Sequence, residues 1–312
     1  DPGGSPGVAN PATPVPAIQL NEIAAALSLP PDRRLTNAWC ELVNRGASEA
    51  DLTGWSLGDG TASRRYLFPA TRLAAGAYLV VYCDTNAAPP GLHTGFTLDA
   101  RADQLVLLNA TGERIDALRY GAQAPGYTLG RTGTDRAWRL AEPTPAGPNA
   151  PAALGTADSL AVNEFLANAL PGGDDWIEIY NRDAARPVAL DGLWFAATNA
   201  IAPVAPHVFV APHGYVLLHA DEQPGPNHLN FKLPAAAGFV ALLDPVGRTL
   251  DSLGYTNAVE GVSMGRMPDG GSSLSAFTLS SSPGAANYLL AYNGVRINEV
   301  LVRNVTSLAD AR

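Results

Sequence analysis

The sequence predicts an all-β chain built of two tandem two-sheet sandwiches, and three observations carry that prediction. Its 31 Gly and 26 Pro are spread without a collagen period, which suits many short strands joined by turns and argues against long helices. Apolar runs such as Tyr78 to Cys83 and Phe239 to Leu243 are short and bounded by Gly, Asp and Pro, as buried sandwich strands are. A set of motifs also recurs in unchanged order along the 312 residues, a length that suffices for two domains with full cores.

Composition narrows the class further. Apolar residues at 46% and charged residues at 16% exclude a disordered chain and a coiled coil. The apolar runs are far too short for a membrane span. A net charge of −9 argues against nucleic acid as a partner, because neutralising phosphates needs clustered Lys and Arg. Lys232 is the only lysine, and the heavy use of Ala, Gly, Pro and Arg is that of a GC-rich bacterial genome.

Taken in order, residues 1–17 open Asp1-Pro2-Gly3-Gly4-Ser5-Pro6-Gly7 and read as an extended Pro-rich arm. The arm has neither a basic n-region nor an apolar h-region, so for an exported protein the expectation is a signal already removed or a sequence that starts downstream of it. Residues 18–149 form the first sandwich, 150–158 a short Ala, Pro and Gly linker, and 159–288 the second sandwich. The matching stretches begin with Leu20-Asn21-Glu22-Ile23 and Val162-Asn163-Glu164-Phe165. Next come Trp39-Cys40-Glu41-Leu42-Val43-Asn44 and Trp176-Ile177-Glu178-Ile179-Tyr180-Asn181, then Leu52-Thr53-Gly54 and Leu190-Asp191-Gly192. Tyr78 to Val81 matches Tyr215 to Leu218, and Gly95 to Leu98 matches Asn230 to Leu233. Ile115 to Leu118 matches Leu250 to Leu253, and Gly130-Arg131 matches Gly265-Arg266. Pro145 to Asn149 matches Pro283 to Asn287, and all offsets fall between 135 and 142 residues. Residues 289–312 start a third copy at Ile297-Asn298-Glu299-Val300. Within a copy, Trp176 to Tyr180 alternates, so Ile177 and Ile179 share one face and Glu178 is expected to face solvent. Asp59-Gly60, Thr111-Gly112 and Val246-Gly247 read as hairpin turns.

The succession Asn163-Glu164, Asp175 to Asn181, Leu190 to Gly192 and Asn230 to Leu233 resembles the bacterial lamin-tail domain. Val262 to Gly270, with its Met267-Pro268-Asp269-Gly270, and Ser282-Pro283-Gly284 strengthen the likeness. The first copy departs at Thr128 to Gly133, which lacks the Pro-Asp-Gly turn. The resemblance implies an immunoglobulin-like sandwich in each copy. It also implies an accessory module of secreted and surface proteins, often appended to hydrolases or repeated in arrays, with no catalytic residues to carry over.

Several constellations bear on chemistry. Gly261-Val262-Ser263-Met264-Gly265 has the spacing of a nucleophile elbow, but no histidine follows it and no helix pattern does, so it reads as a turn. His93 and His228 hold matching loop positions, which favours a shared packing role, and His207, His213 and His219 lack zinc-ligand spacing. Asp174 and Asp175, beside Gly172-Gly173, are the candidate calcium ligands, against a reading of Asp174 as a turn residue. The recurring Asn21-Glu22, Asn163-Glu164 and Asn298-Glu299 read as side-chain hydrogen bonding at the first strand rather than as catalytic acids. Cys40 and Cys83 fall on core-facing strand positions, either as a disulfide or as two buried thiols.

These readings predict no enzyme and no cofactor. They predict instead a secreted or cell-surface structural or adhesive building block that associates with itself or with other surface proteins. The alternating Val295, Ile297, Val300 and Val302 form a candidate assembly strand that pairs with a neighbouring subunit. The alternative is an accessory module of a larger secreted enzyme that binds carbohydrate or an envelope polysaccharide, with Trp55, Trp194, Tyr66 and Tyr215 as candidate contacts.

Overall fold

The computed structural model describes residues 16–25, 38–85 and 90–290. The candidate assembly strand with Val295, Ile297, Val300 and Val302 lies outside them. In the first half the strands are β1 (Ile18–Ala24), β2 (Trp39–Asn44), β3 (Ala50–Asp51), β4 (Ser56–Gly58), β5 (Arg65–Leu67), β6 (Arg72–Leu73), β7 (Tyr78–Tyr82), β8 (Leu92–His93), β9 (Asp103–Leu108), β10 (Arg114–Tyr120), β11 (Thr128–Thr132), β12 (Ala137–Glu142) and β13 (Ala150–Pro151). A single 3-10 turn at Ala157–Ser159 precedes the second half. There the strands are β14 (Leu160–Leu166), β15 (Asp175–Asn181), β16 (Val188–Ala189), β17 (Trp194–Ala197), β18 (Ala200–Pro203), β19 (Phe209–Val210), β20 (Tyr215–Ala220), β21 (His228–Leu229), β22 (Ala237–Leu243), β23 (Thr249–Thr256), β24 (Ser263–Arg266) and β25 (Leu274–Phe277).

Each half folds as an immunoglobulin-like sandwich of a large and a small sheet. The first half has a seven-stranded sheet, β13-β12-β11-β1-β2-β7-β8, and a four-stranded sheet, β10-β9-β4-β5. The second has a six-stranded sheet, β21-β20-β15-β14-β24-β25, and a four-stranded sheet, β18-β17-β22-β23. Most pairings are antiparallel; β7–β8 and β20–β21 run parallel. Between the layers, one core gathers Leu20, Leu42, Leu57 and Leu105, and another gathers Val162, Ile179, Phe195 and Leu242. The expected hairpin glycines Gly60, Gly112 and Gly247 all take positive φ (89°, 85° and 86°), which only glycine adopts without strain.

The first strand of each half carries a bulge at its Asn. In β1 the register steps from Leu20↔Leu42 to Glu22↔Glu41, and in β14 from Val162↔Ile179 to Glu164↔Glu178. The extra residue lets Leu20 and Ile23, three apart, both enter the core, and it turns Asn21 and Glu22 together to the outer side.

Two expectations need correction here. Glu178 does not face solvent: it is 0% exposed, because a distant loop covers the outer face of its sheet. Neither apolar run is uniformly buried: Tyr78, Leu79 and Val80 are half-buried and Phe239 is exposed. The short linker 150–158 is held at both ends, since β13 pairs with β12 and Gly155 N donates to Pro187 O at 2.9 Å.

The halves are also stitched directly. Phe209 N donates to Ala122 O at 2.8 Å, Gly121 N donates to His207 O at 3.2 Å, and the Phe209 ring joins the first half's core. A Cβ on Gly121 would stand 2.6 Å from Val208 Cγ2, so glycine is what permits this approach.

Candidate functional site

The polar residues that recur in sequence converge, in both halves, on the outer face of the large sheet. In the first half Asn21 Nδ2 donates to Glu41 Oε1 at 2.8 Å, and Thr128 Oγ1 donates to Glu22 Oε1 at 2.6 Å. A closing loop then comes down on the pair. Thr144 donates to Glu22 through its N–H (3.0 Å) and its hydroxyl (2.9 Å), and Ala146 N–H donates to Glu41 Oε2. Asn149 Nδ2 ties the loop to Asn21 O at 2.7 Å.

The second half repeats the arrangement with the same kinds of donor on its two Glu. Asn163 Nδ2 donates to Glu178 Oε1 at 2.9 Å, and the Ser263 hydroxyl donates to Glu164. Ser282 donates to Glu164 through both N–H and hydroxyl, and Gly284 N–H reaches Glu178 Oε2 at 2.6 Å. Asn287 Nδ2 donates to Arg266 O at 2.9 Å.

A partly buried ion pair completes each cluster. Asp116 accepts two bonds from Arg131 and one from Leu20 N, while Asp251 accepts two from Arg266 and one from Val162 N. The glycine before each arginine is required by space: a Cβ on Gly265 would lie 2.5 Å from Asn163 O, and one on Gly130 2.9 Å from the Asn149 amide.

The electrostatics follow from burial. Glu22, Glu41, Glu164 and Glu178 are all 0% exposed. Desolvation pushes the Glu41 carboxyl up to about 7 and that of Glu178 up to about 8, against the opposing effect of their donors. Glu22 and Glu164 are raised for the same reason. Neutral or charged, these acids are enclosed by donors from the protein itself, so the chemistry they support is fastening a loop rather than turning over a substrate. At Asn21-Glu22 and Asn163-Glu164 the hydrogen-bonding reading describes what is present, while Asn298-Glu299 lies outside the described residues.

The other sequence candidates are placed as follows. Ser263 opens β24 rather than a turn, and its hydroxyl is committed to Glu164, as that of Thr128 is to Glu22. Cys40 and Cys83 are both buried, and the structure holds them as free thiols. Both oxygens of Asp175 accept backbone bonds, from Ala169 N and Leu233 N, while Asp174 stands 3.9 Å from His219 Nδ1. No group of three or more His, Cys, Asp or Glu arranged to hold a metal ion occurs among the described residues. Asp174 and Asp175 therefore do not converge with a third such ligand.

His93 and His228 do share a role. Their Nδ1 atoms lie 2.7 and 2.8 Å from Asp84 and Asp221, and their rings stack on Tyr82 and His219. Trp55 and Tyr66 pack against the first core, and the Tyr215 hydroxyl donates to Asp269. Sequence reasoning missed a cleft of about 410 Å³ between the halves, lined by Asp59, Gln104, Arg119 and His228 among others. Only the joint brings these side chains together, and no local motif announces them.

A family described as Lamin Tail Domain matches residues 11–122. No curated protein matches the chain. The matched span holds β1 to β10 and stops short of the closing loop and the second half. An immunoglobulin-like domain of this family is a structural or protein-interaction module.

Proposed function

We propose that the chain is a non-enzymatic structural protein of the cell exterior. In this reading two copies of one lamin-tail-like sandwich, residues 18–149 and 159–288, form a stiff building block of a surface or filamentous assembly. The observation that carries the reading is the fate of the recurring polar residues. In each half, Asn, two Glu, Asp, Arg and the loop Asn are spent on internal hydrogen bonds that hold the fold shut. Side chains kept for reaction or ligand exchange would instead retain open valences toward a cleft.

Assembly in this reading uses residues 289–312, with Val295, Ile297, Val300 and Val302 as a strand added to a neighbouring subunit. Deleting residues 289–312 tests it. Loss of polymers or oligomers by electron microscopy supports this mode of linkage, and unchanged assembly refutes it. A second reading, a polymer-binding accessory module of a larger secreted enzyme, draws support from the polar cleft between the halves. A glycan array is its test.

A further inference from the structure

The outer face of the first half's four-stranded sheet carries three arginines that the fold leaves unspent. Because Leu105, Leu107 and Leu118 enter the core, Gln104, Val106, Leu108 and Arg119 face outward. Arg114 opposite Leu108, and Arg65 opposite Gly58, share that side. Elsewhere most arginines are committed: Arg131 to Asp116, Arg139 to Asp135 and Arg266 to Asp251. Arg65, Arg114 and Arg119 have no hydrogen bond or ion pair among the described residues. The carboxylates at the rim of the face, Asp59 and Asp103, are both held by Arg64. In a chain of net charge −9, three free guanidinium groups on one sheet face are a local reversal of sign.

Hollows run along this face. One of about 210 Å³ is lined by Ser56, Gly58, Thr61, Arg65 and Val106 among others, and it meets the cleft of about 410 Å³ at Thr61. Arg119 and Gly225 then line both that cleft and a further hollow of about 170 Å³. An unmet polar group lies in the first hollow. Ser56 is 1% exposed, and its Oγ has no hydrogen-bond partner among the described residues. A buried hydroxyl left so costs about 1–3 kcal/mol, and native proteins keep few of them. The second half has none of these features at matching register. Trp194 stands for Ser56, since they face Leu243 and Leu108, and Ile201 stands for Arg65. Thr249 stands for Arg114 and Gly254 for Arg119. The basic, hollowed face is a property of the first copy and not of the shared architecture.

We infer that this groove binds an acidic polysaccharide, with carboxylates on Arg65, Arg114 and Arg119 and hydroxyls on Ser56 and Gln104. The inference deepens the second reading above, polymer binding, and rests on it. Guanidinium forks take carboxylates two bonds at a time. Gln104 Nε2 donates to Asp59 O, which leaves its Oε1 to accept from a ligand hydroxyl. Arg65 and Arg119 stand on the edge strands β5 and β10, three strand spacings apart, and Arg114 lies five residues from Arg119 along β10. At ~4.8 Å per spacing and ~3.4 Å per residue, the charges are spread over roughly 14–17 Å in each direction. One small anion cannot meet all three; a polymer can. An acidic peptide fits less well, because the backbone groups of a sheet face are already paired in the ladder and leave its N–H and C=O groups unmet. Nucleic acid finds no Phe, Tyr or Trp lining these hollows on which a base could stack.

Titration calorimetry of the full chain with polygalacturonate tests it, with dextran as the uncharged comparison and polyglutamate as the peptide one. The chain is expected to bind polygalacturonate, more weakly as salt rises, and dextran at least about tenfold more weakly. Arg65→Gln with Arg119→Gln is expected to keep the wild-type melting midpoint and weaken polygalacturonate binding at least about tenfold. Ser56→Ala removes an unbonded hydroxyl, so it is expected to keep or raise the melting midpoint while binding falls severalfold. A serine that served packing alone would leave binding unmoved. Arg248→Gln, on the second half, is expected to bind as wild type does. A chain that does not bind polygalacturonate overturns the inference. Binding left unchanged by the double arginine variant or by Ser56→Ala overturns it too, and leaves polymer binding through another surface standing. Dextran bound as tightly as polygalacturonate has the same meaning. Polyglutamate bound more tightly, and lost in the arginine variant, assigns the groove to an acidic peptide instead.

Discussion

At Glu178, burial and two neutral donors compete, and burial wins: the carboxyl is pushed up to about 8. The sign of the consequence is fixed by linkage. An unfolded Glu titrates near 4.5, so the folded state holds the proton more tightly. The associated stability is fully present below that pH and is lost as pH rises through about 8. Wild type is therefore expected to lose stability relative to Glu178→Gln between pH 5 and 9, by on the order of 4 kcal/mol. Urea titrations of both proteins across that range check it, and parallel pH profiles would contradict it. At Gly265, a methyl group meets the backbone of Asn163 and Glu164 and then the Asn287 amide, so Gly265→Ala is expected to cost about 2–4 kcal/mol by the same titration. The recurrence of Asn-Glu, of Glu in the second strand and of the loop Asn was legible in the sequence. Their contact was not. Alternation assigns Glu178 to a face but cannot say what lies over that face, and Gly284, which does, is 106 residues away.

The bulge is the element on which the first strand depends. Were β14 regular through Asn163, Val162 and Phe165, three apart, would point to opposite sides of it, and the core would lose one of them. Deleting Asn163 leaves Val162 and Phe165 two apart on one face of a regular strand but removes the side chain bonded to Glu178, Asp269 and Gly270, so the second half is expected to lose about 2–4 kcal/mol in a urea titration while the first keeps its stability. An unchanged transition of the second half would show that the bulge is incidental. The strands themselves were readable from short apolar runs and turn glycines. The bulge was not, because period-two alternation describes a regular strand, and the offset between Leu20 and Ile23 contradicts it by one residue. That contradiction, present in both copies, is the signal that a closer reading would have used.

For the whole molecule, sequence offsets delimit two halves but give no account of how they meet. The joint rests on a difference between the copies: Phe209 stands where the first half has Arg72, and a repeat search rewards likeness rather than departure. Because its ring completes the first half's core, Phe209→Ala in the second half is expected to destabilise the first half by about 3 kcal/mol. Hydrogen exchange resolved by residue reads the two halves separately. The claim that the chain is one stiff building block is tested most directly by residual dipolar couplings of its backbone amides. With Phe209 and Gly121 bonded across the joint, and the connecting segment fixed to the first half by β13 and to the second by Gly155, couplings from both halves are predicted to fit a single alignment tensor. Two tensors of different magnitude, one for each half, would mean that the sandwiches move independently and would contradict that claim.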